Sequence, residues 1–265
     1  MTEEKAHIRG QVRETEERKQ TVQKTLLTVT ENAPLTRDVS RMTLRGADTA
    51  ACRPGQFIGL LLDGLTLRRP ISVCDAAENT VTILYKIVGE GTAQMARLKA
   101  GAQLDTLLFL GNGYDTAKSG AAPVLLGGGV GVPPLYLLAK TLLAEGKQPR
   151  VILGFNTAAE VFYAEEFAAL GIPVTVTTAD GSMGTKGFVT DALREMSGYT
   201  YTFACGPEPM LRAVYDTAAS DGQYSFEERM GCGFGACMGC SCKTKYGSKR
   251  ICKDGPVLEK GEIVW

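Results

Sequence analysis

The chain has 265 residues, of which 44% are hydrophobic and 22% charged, so it is long enough for two compact domains and a small appendage. Its 29 basic and 29 acidic residues balance and no basic run stands out, so the sequence indicates no nucleic-acid partner. A charged N-terminus and the lack of any apolar run of about 18 residues predict a cytoplasmic protein with no membrane span.

The first part of the chain has the pattern of a small all-β domain. Residues 1–20 are a charged leader to which the sequence assigns no role. Residues 21–118 contain short predicted strands, for example Lys24–Thr30, Gly55–Leu62 and Thr80–Val88. Short strands broken by Gly, Pro, Asn and Asp predict an antiparallel barrel or sandwich.

Two patterns in this first domain indicate a dinucleotide site. In Arg69-Pro70-Ile71-Ser72, the arginine can pair with a pyrophosphate and the serine with flavin or phosphate oxygens. Gly89–Thr92 then opens a predicted helix at Ala93–Lys99, and the free amides of a helix N-terminus bind anions. An Arg-Pro pair alone is most often a structural turn, so the prediction rests on the two patterns together.

Residues 119–222 alternate strands with helices, which predicts a doubly wound parallel sheet covered on both faces. The first strand, Val124–Leu126, enters a glycine loop and then a helix with leucines on one stripe, ended by Gly146. The remaining predicted elements are strand Val151–Phe155, helix Ala164–Leu170, strand Val174–Thr178, helix Val189–Met196, strand Thr200–Ala204 and helix Glu208–Ala219.

Loops that follow these parallel strands predict a second nucleotide site. The loop 127–134, GGGVGVPP, departs from the G-x-G-x-x-G fingerprint, and such a glycine turn is often only a tight turn. Together with loops 180–182 and 205–207 it forms one crevice at the sheet edge, for which we expect a nicotinamide dinucleotide. Neutral residues at 156–157 favour NAD over NADP. The expected contacts are Gly128, Gly129, Gly131, Cys205 and Gly206, although Cys205 is equally well explained as a small buried residue.

The last segment, residues 223–265, holds five of the eight cysteines among many glycines. Cys232, Cys237 and Cys240 have the spacing C-x4-C-x2-C, and Cys252 follows, which is the plant-type arrangement of a [2Fe–2S] cluster. A zinc site or a set of disulfides is the alternative, but zinc knuckles usually have two C-x2-C pairs and this segment has one. Cys242 remains open as a replacement for Cys240 or Cys252.

The motifs RPIS, GEGT, GGGVGVPP, CGPEPM and ERMGCGFGACMGCSC occur in the order that is typical of the ferredoxin-NADP reductase superfamily. The chain from about Lys24 to Trp265 most closely resembles the electron-transfer subunits of dihydroorotate dehydrogenase B. This resemblance implies a multidomain α+β and α/β protein: an FAD-binding β-barrel, an NAD-binding sheet and a small [2Fe–2S] domain. It assigns FAD to Arg69, Pro70, Ile71, Ser72, Leu84, Tyr85, Lys86, Gly91 and Thr92, and the cluster to Cys232, Cys237, Cys240 and Cys252.

The resemblance also implies a function and a partner. The partner would be an FMN-containing catalytic subunit that oxidises dihydroorotate in pyrimidine biosynthesis, in a heterotetramer with two copies of each chain. This chain would carry electrons between that FMN and NAD⁺ through the cluster and FAD. No catalytic side chain is expected, because flavin exchanges the hydride itself.

Two other functions remain open at this point. The chain could be a reductase subunit of a hydrogenase or transhydrogenase complex, which an FMN-free partner would indicate. It could also be a non-enzymatic zinc-binding interaction protein, which a colourless preparation without flavin would support.

Overall fold

In the computed structural model, which describes residues 21–46 and 48–265, the first domain is a closed antiparallel barrel with strand order β1-β2-β5-β4-β3-β6. The predicted leader lies outside the described residues. The strands are β1 (Gln23–Pro34), β2 (Val39–Arg45), β3 (Phe57–Leu60), β4 (Arg69–Ala77), β5 (Thr80–Lys86) and β6 (Gln103–Leu110). Alternate residues such as Val81, Ile83 and Tyr85 of β5 are buried in the barrel core. Of the two predicted forms, the barrel is therefore confirmed.

One short helix follows β5 and packs against the barrel. Helix α1 (Glu90–Arg97) buries Met95 in the barrel core. The Asn32 side-chain amide donates to the carbonyl oxygens of Met95 and Leu98, at 2.9 and 3.0 Å, and so ties the end of α1 to β1. The N-terminus of α1 is thereby held at a fixed place beside β4 and β5.

The second domain is built on a seven-stranded sheet with the order β10-β9-β8-β7-β11-β12-β15, in which the last strand, β15 (Val257–Glu259), comes from the C-terminal segment. All neighbouring pairs are parallel except β12 with β15. Its strands within this domain are β7 (Val124–Gly128), β8 (Arg150–Phe155), β9 (Val174–Thr178), β10 (Thr185–Lys186), β11 (Thr202–Cys205) and β12 (Gly222–Ser225). The helices are α2 (Pro133–Ala144), α3 (Ala164–Ala169), α4 (Val189–Arg194) and α5 (Glu208–Thr217).

Helices cover both faces of this sheet, as the alternation predicts. Leu125 of β7 packs on the face covered by α2 and α3, while Val124 and Leu126 pack on the face covered by α4 and α5. Because strand side chains alternate between faces, a continuous apolar strand such as β7 needs cover on both sides. This arrangement places the loops after β7 and β11, which are neighbours, at the same edge of the sheet.

The C-terminal segment is not a separate core but an addition to both domains. It contains the hairpin β13 (Ser241–Thr244) and β14 (Gly247–Arg250), helix α6 (Ile251–Asp254) and strand β15 (Val257–Glu259). Strand β15 joins the sheet as an edge strand antiparallel to β12. The alternation of strands and helices in the sequence does not predict this strand. The buried residues Ile251, Leu258 and Ile263 share one core with α5 and with Phe57 and Leu110 of the barrel.

Candidate functional site

The thiols at the beginning of the cysteine segment form a pair. Backbone N–H groups of Ala236 and Cys237 donate to Cys232 Sγ, at 3.2 and 3.4 Å. In return, Cys232 N–H donates to Cys237 Sγ at 3.4 Å, and Gly239 N–H donates to the same sulfur at 3.5 Å. A loop whose amides converge on two sulfurs stabilises negative charge there.

The ionisation of Cys232 fits this geometry. Burial opposes ionisation, but backbone N–H groups of the loop and the neighbouring Cys237 outweigh it and lower the pKa of the Cys232 thiol to about 6. Iron and zinc bind the thiolate rather than the thiol. The loop therefore favours the charge state that a metal centre needs.

A second pair of thiols lies deeper in the segment. Cys240 and Cys252 are each 2% exposed, and Cys252 N–H donates to Cys240 Sγ at 3.4 Å. Burial, followed by the contact with Cys240, raises the pKa of the Cys252 thiol to about 12. Helix α6 begins at Ile251, whose N–H donates to the Cys240 carbonyl at 3.1 Å, so the helix start holds these two residues together.

Two pairs of thiols fit a [2Fe–2S] cluster better than a zinc ion. In such a cluster each iron takes two protein ligands, whereas a structural zinc needs four ligands around one point. We interpret the division into Cys232 with Cys237 and Cys240 with Cys252 as one pair of ligands for each iron.

The fifth cysteine of the segment faces another surface. Cys242 lines a cavity of about 190 Å³ with Phe226, Glu228 and Trp265. Burial raises the pKa of its thiol, and its first charged neighbour is Glu228. This orientation favours Cys240 and Cys252 over Cys242 as ligands.

Glycine is required at position 235 of the loop. Gly235 has φ +93, and a Cβ there would overlap the Lys253 side chain, 2.5 Å from its Cδ. The Arg250 guanidinium donates to the Gly235 carbonyl at 2.7 Å and pairs with Asp254 at 3.0 Å. Arg250 of β14 and Lys253 of α6 therefore lie against the loop that carries Cys232 and Cys237.

The barrel opens where the FAD residues are expected. The ladder between β4 and β5 begins at Val73 and Ile83, so Arg69–Ser72 and Leu84–Lys86 diverge from one another. On their outer sides Arg69–Ser72 pair with β3, and Leu84–Lys86 pair with β2. Backbone groups that face each other across the opening are therefore outside the β4–β5 ladder and suit a planar ligand with polar edges.

The two dinucleotide patterns of the barrel meet in the structure. A Cβ on Gly91 would overlap the Arg69 guanidinium, so this arginine lies directly on the first turn of α1. The Thr92 hydroxyl accepts from Val88 N–H and Gly89 N–H, at 2.9 and 3.2 Å, and so orders the turn itself. A cation beside the positive end of a helix suits a pyrophosphate.

Some of the expected FAD residues point their side chains away from the opening. Tyr85 is 2% exposed in the barrel core, and its hydroxyl donates to Asn32 Oδ1 at 2.8 Å. Leu84 is buried in the core of the second domain, and Lys86 pairs with Asp38 at 3.0 Å. At these three positions the backbone rather than the side chain is available to a ligand.

The cysteine loop borders the Arg-Pro strand directly. Gly59, Arg68, Pro70 and Leu110 of the barrel line one side of a cavity of only about 10 Å³. Residues 230–233, which include Cys232, line the other side. The proposed cluster and flavin sites therefore adjoin, with little space between Cys232 and the beginning of β4.

The glycine loop after β7 packs tightly against the loop after β11. A Cβ on Gly131 would overlap the Cys205 carbonyl, and a Cβ on Gly128 would overlap the Met210 sulfur. A Cβ on Gly206 would lie 2.8 Å from Cε of the same Met210 side chain. By contrast, Gly129 has φ +50 and nothing within 4 Å, so its surface is open to a ligand.

Cys205 ends β11 as a buried residue of this crevice. It is 3% exposed, and burial raises the pKa of its thiol to about 12. The negative charge of Glu227 raises the pKa of the Cys205 thiol further, and burial raises the pKa of the Glu227 carboxyl itself. The sequence analysis did not single out Glu227, which lies two residues after the end of β12, because no local pattern marks this position.

The other expected loops join at the ends of β8 and β9. Ala158 N–H donates to Ser182 Oγ at 2.7 Å, and Ser182 donates to Asp180 Oδ1 at 2.6 Å. Asp180 N–H donates to the Asn156 carbonyl at 3.2 Å. These contacts bring the loop after β8 and the loop after β9 together at the same edge of the sheet as the glycine loop.

Two further observations concern positions outside these sites. Cys52 and Cys74 of the first domain are packed thiols, 7% and 0% exposed. Within the part of the chain that the structure describes, no helix has the length and apolar character needed to cross a membrane.

Comparison with known proteins gives consistent matches over most of the chain. A family model described as the iron-sulfur cluster binding domain of dihydroorotate dehydrogenase B matches residues 227–264. A second, described as an oxidoreductase NAD-binding domain, matches residues 125–216.

Two curated relatives carry the name dihydroorotate dehydrogenase B (NAD(+)), electron transfer subunit. The protein from Fusobacterium nucleatum subsp. nucleatum is 45% identical over 251 residues, which cover 89% of this chain and 96% of the relative. The protein from Bacillus caldolyticus is 45% identical over 238 residues, which cover 84% and 91%.

Solved structures show the same architecture. A chain of an NADH-dependent reduced ferredoxin-NADP oxidoreductase, studied for flavin-based electron bifurcation, has a TM-score of 0.84 and 28% identity, with 91% of this chain and 90% of that chain covered. The cytochrome b5 reductase domain of Ulva prolifera nitrate reductase has a TM-score of 0.60 at 17% identity, covering 72% and 89%, which shows a shared fold.

Proposed function

This chain belongs to the family of dihydroorotate dehydrogenase B electron transfer subunits, and from that membership we propose how it works in pyrimidine biosynthesis. It is an NAD-dependent flavin and iron–sulfur oxidoreductase subunit that carries electrons between NAD⁺ and a dihydroorotate-oxidising catalytic subunit. The observation that carries the proposal is the junction at Cys232 and Pro70, where the thiol loop borders the flavin strand. In the proposed assignment, a one-electron site therefore lies beside a two-electron site.

The cofactors supply the chemistry and the chain supplies their positions. When bound, FAD exchanges a hydride with NAD⁺ and single electrons with the [2Fe–2S] cluster. We propose that Cys232, Cys237, Cys240 and Cys252 hold the two irons. The loop amides that converge on these sulfurs stabilise their charge, and the buried position of Cys240 and Cys252 excludes water from one side.

Binding of the two dinucleotides follows from the two openings. We propose that Arg69 and the amides of Gly91 and Thr92 pair with the FAD pyrophosphate. The divergent backbone segments Pro70–Ser72 and 84–86 hold the ring. For NAD⁺, the open surface of Gly129 and the tightly packed Gly128, Gly131 and Gly206 let the backbone approach the ligand, with Cys205 beside the nicotinamide end.

The assembly and the division of the chain are parts of the same proposal. The partner is the catalytic subunit, and we propose that its redox group is FMN and that two copies of each chain form a heterotetramer. We further propose an FAD-binding domain at 21–118, an NAD-binding domain at 119–222 and a cluster segment at 223–265. Strand β12 spans Gly222–Ser225 and so crosses the last of these boundaries.

Reconstitution with the catalytic subunit tests the function. The chain is purified anaerobically with the partner, and dihydroorotate-dependent reduction of NAD⁺ is compared with that of the partner alone. We expect NADH to form only when both chains are present and to match the orotate produced. A complex that contains no FMN chain, or that reduces NAD⁺ with another electron donor only, would place the chain in a different reductase complex.

A further inference from the structure

One side chain at the end of the barrel joins it to the C-terminal segment. Asn112 lies two residues after β6, and its side-chain amide donates to the carbonyl oxygens of Asp254 and Val257, at 3.3 and 2.8 Å. Its side-chain oxygen accepts from Val257 N–H at 3.1 Å. Its backbone N–H donates to the Gly255 carbonyl at 2.6 Å. A single residue of the barrel thus holds the backbone of residues 254–257 from several sides.

The glycine before Asn112 packs directly against the same stretch. Gly111 has φ +81, and a Cβ there would lie 2.6 Å from Pro256 Cδ and 3.0 Å from the Gly255 carbonyl oxygen. Gln56, which directly precedes β3, donates from its side chain to the Gly111 carbonyl at 3.2 Å. The backbone after β6 is therefore fixed to the barrel on one side and to residues 254–257 on the other.

The stretch that Asn112 holds follows directly on a proposed cluster ligand. Helix α6 carries Cys252, and residues 254–257 connect this helix to β15. Cys252 N–H donates to Cys240 Sγ at 3.4 Å, and Ile251 N–H donates to the Cys240 carbonyl at 3.1 Å. The buried thiol pair is therefore attached to the beginning of α6, and Asn112 holds the end of the same helix.

The end of β6 also reaches the proposed flavin site. Leu110, the last residue of β6, lines the small cavity between Pro70 and Cys232. Phe57 of β3 pairs with Leu110 on one side and with Ser72 of the flavin strand on the other. The flavin strand, the end of β6 and α6 are thus linked in one continuous series of contacts.

Electron transfer between two bound centres slows steeply as their separation grows, and the protein contributes by fixing their positions. We propose that Asn112 is a positioning residue that holds α6, and with it the buried thiol pair, against the flavin barrel and so sets the rate of electron transfer between flavin and cluster. One electron passes between the two centres, so that one is oxidised as the other is reduced. This inference rests on the proposed function, because it presumes that FAD and the cluster occupy the two sites.

The test uses Asn112→Ala in the holoprotein, which removes the side-chain hydrogen bonds to Asp254 and Val257. Under anaerobic conditions, a laser flash on added deazaflavin, with EDTA as the sacrificial electron donor, gives one electron to each chain. The passage of this electron between flavin and cluster is followed at their separate absorption bands. We expect its first-order rate constant to fall several-fold, whereas flavin reduction by NADH keeps its wild-type rate.

Two further measurements separate a change of position from a loss of cofactor or of overall stability. Iron content, FAD content and both reduction potentials should match the wild type, because every proposed ligand is retained. Hydrogen–deuterium exchange should increase in peptides that cover residues 252–258, since Val257 N–H loses its acceptor, and should stay unchanged in β7 and β8. A general loss of stability would raise exchange in both regions.

Gln223→Ala is the matched control for Asn112→Ala. Gln223 is also an amide side chain that joins the chain after β6 to β15: it accepts from Asp115 N–H at 2.9 Å and donates to Glu259 Oε1 at 3.1 Å. Glu259 is the last residue of β15, at the end of the strand away from α6. We expect this variant to lose stability but to transfer the electron at the wild-type rate.

Gly111→Ala displaces the same stretch from another side. The new methyl group would press on Gly255 and Pro256, so we expect the same selective slowing of electron transfer. Gly101→Ala is its control, because Gly101 has a similar left-handed backbone, φ +93, and a Cβ there would have nothing within 4 Å. This control should transfer the electron at the wild-type rate.

A wild-type rate of electron transfer in Asn112→Ala would overturn the inference, as would unchanged hydrogen exchange at residues 252–258. An equal slowing in Gln223→Ala, or a slowing accompanied by lost iron or FAD, would also overturn it. In each of these cases the electron still passes between flavin and cluster in the wild type, so the proposed function stands. If no electron passes between them in the wild type, the proposed function and the inference fall together.

Discussion

At the scale of single residues, the two thiol pairs are the cysteines that we propose as cluster ligands. We predict that replacing Cys232, Cys237, Cys240 or Cys252 by serine removes the cluster, since one of the two irons would then lose one of its two protein thiolates. Cys242→Ser is the control and should keep it, because this thiol faces the cavity beside Trp265. Visible absorption and iron content of the purified variants measure the outcome. A cluster lost only in Cys242→Ser would contradict this ligand set.

A glycine in the NAD⁺ loop gives a second residue-level prediction. In Gly131→Ala, the new methyl group would overlap the Cys205 carbonyl and force the loops after β7 and β11 apart. We expect the free energy of unfolding to fall by about 1–3 kcal/mol, as for other overpacked sites, and NADH to bind more weakly. Urea unfolding and NADH titration measure the two effects.

Gly261→Ala is the matched control for this glycine. A Cβ there would have nothing within 4 Å, and its φ is not in the left-handed region. This variant should keep both the stability and the NADH affinity of the wild type. Equal behaviour of the two variants would show that the close approach of Gly131 to Cys205 does not matter.

At the scale of elements, one carboxylate joins three parts of the barrel. Asp105 of β6 pairs with Lys24 of β1 at 3.0 Å and with Arg68, just before β4, at 2.7 Å. The Arg68 guanidinium also donates to the Gly59 carbonyl of β3 at 3.2 Å. Burial opposes ionisation, but the two cations outweigh it and lower the pKa of Asp105.

This ion pair predicts a pH-dependent stability. A carboxyl whose pKa is lower in the folded state contributes stability above its unfolded pKa of about 3.9, and the contribution disappears as pH falls through the folded pKa. We expect Asp105→Asn to be less stable by about 1 kcal/mol at neutral pH, because the group is partly exposed and screened. The difference from wild type should shrink below about pH 4. Chemical unfolding over a pH series measures it, and a constant difference would contradict the assignment.

The sequence predicts the regular elements well where their pattern is local. The apolar stripe of α2 and the continuous apolar strand β7 are found within about two residues of their predicted ends. Strand β1 extends to Pro34, beyond the predicted Thr30, because a register shift between Val29 and Glu31 interrupts its alternation. Strand β15 could not be predicted, since its three residues have no periodicity and pair with a distant strand.

The same distinction applies to the candidate site. The cysteine spacing predicts a [2Fe–2S] cluster because most of the expected ligands lie close together in the sequence, on one glycine-rich loop. Glu227 and Asn112 carry no local pattern that identifies their partners, which lie in elements far apart in the chain. The inward orientation of Tyr85 likewise depends on Asn32, which lies on β1.

At the scale of the whole molecule, the cysteine segment is the part most suited to face a partner. Phe234 and Met238 beside the cluster ligands are 48% and 54% exposed, and Met238 has φ 60. Exposed aromatic and methionine side chains are enriched at interfaces. If this loop folds around the metal and also contacts the partner, removal of the metal should abolish both the folded structure of the loop and its binding to the partner.

We therefore predict that Cys237→Ser weakens the complex with the catalytic subunit. Electron flow from NADH through FAD to an artificial two-electron acceptor should remain largely intact, because the barrel and sheet are unchanged. Size-exclusion chromatography of the variant with the partner measures complex formation. A complex that is unchanged without the cluster would place the interface on the flavin or nicotinamide domain.

The central claim is that FAD connects NAD⁺ with a [2Fe–2S] cluster held by the two thiol pairs. An anaerobic NADH titration of the purified chain, followed by visible absorption, tests it most directly. We expect a coloured protein with FAD and about two irons per chain, whose flavin and iron–sulfur bands both bleach as NADH is added. A colourless protein that contains zinc, or a flavin that bleaches while the iron–sulfur band never responds, would contradict it.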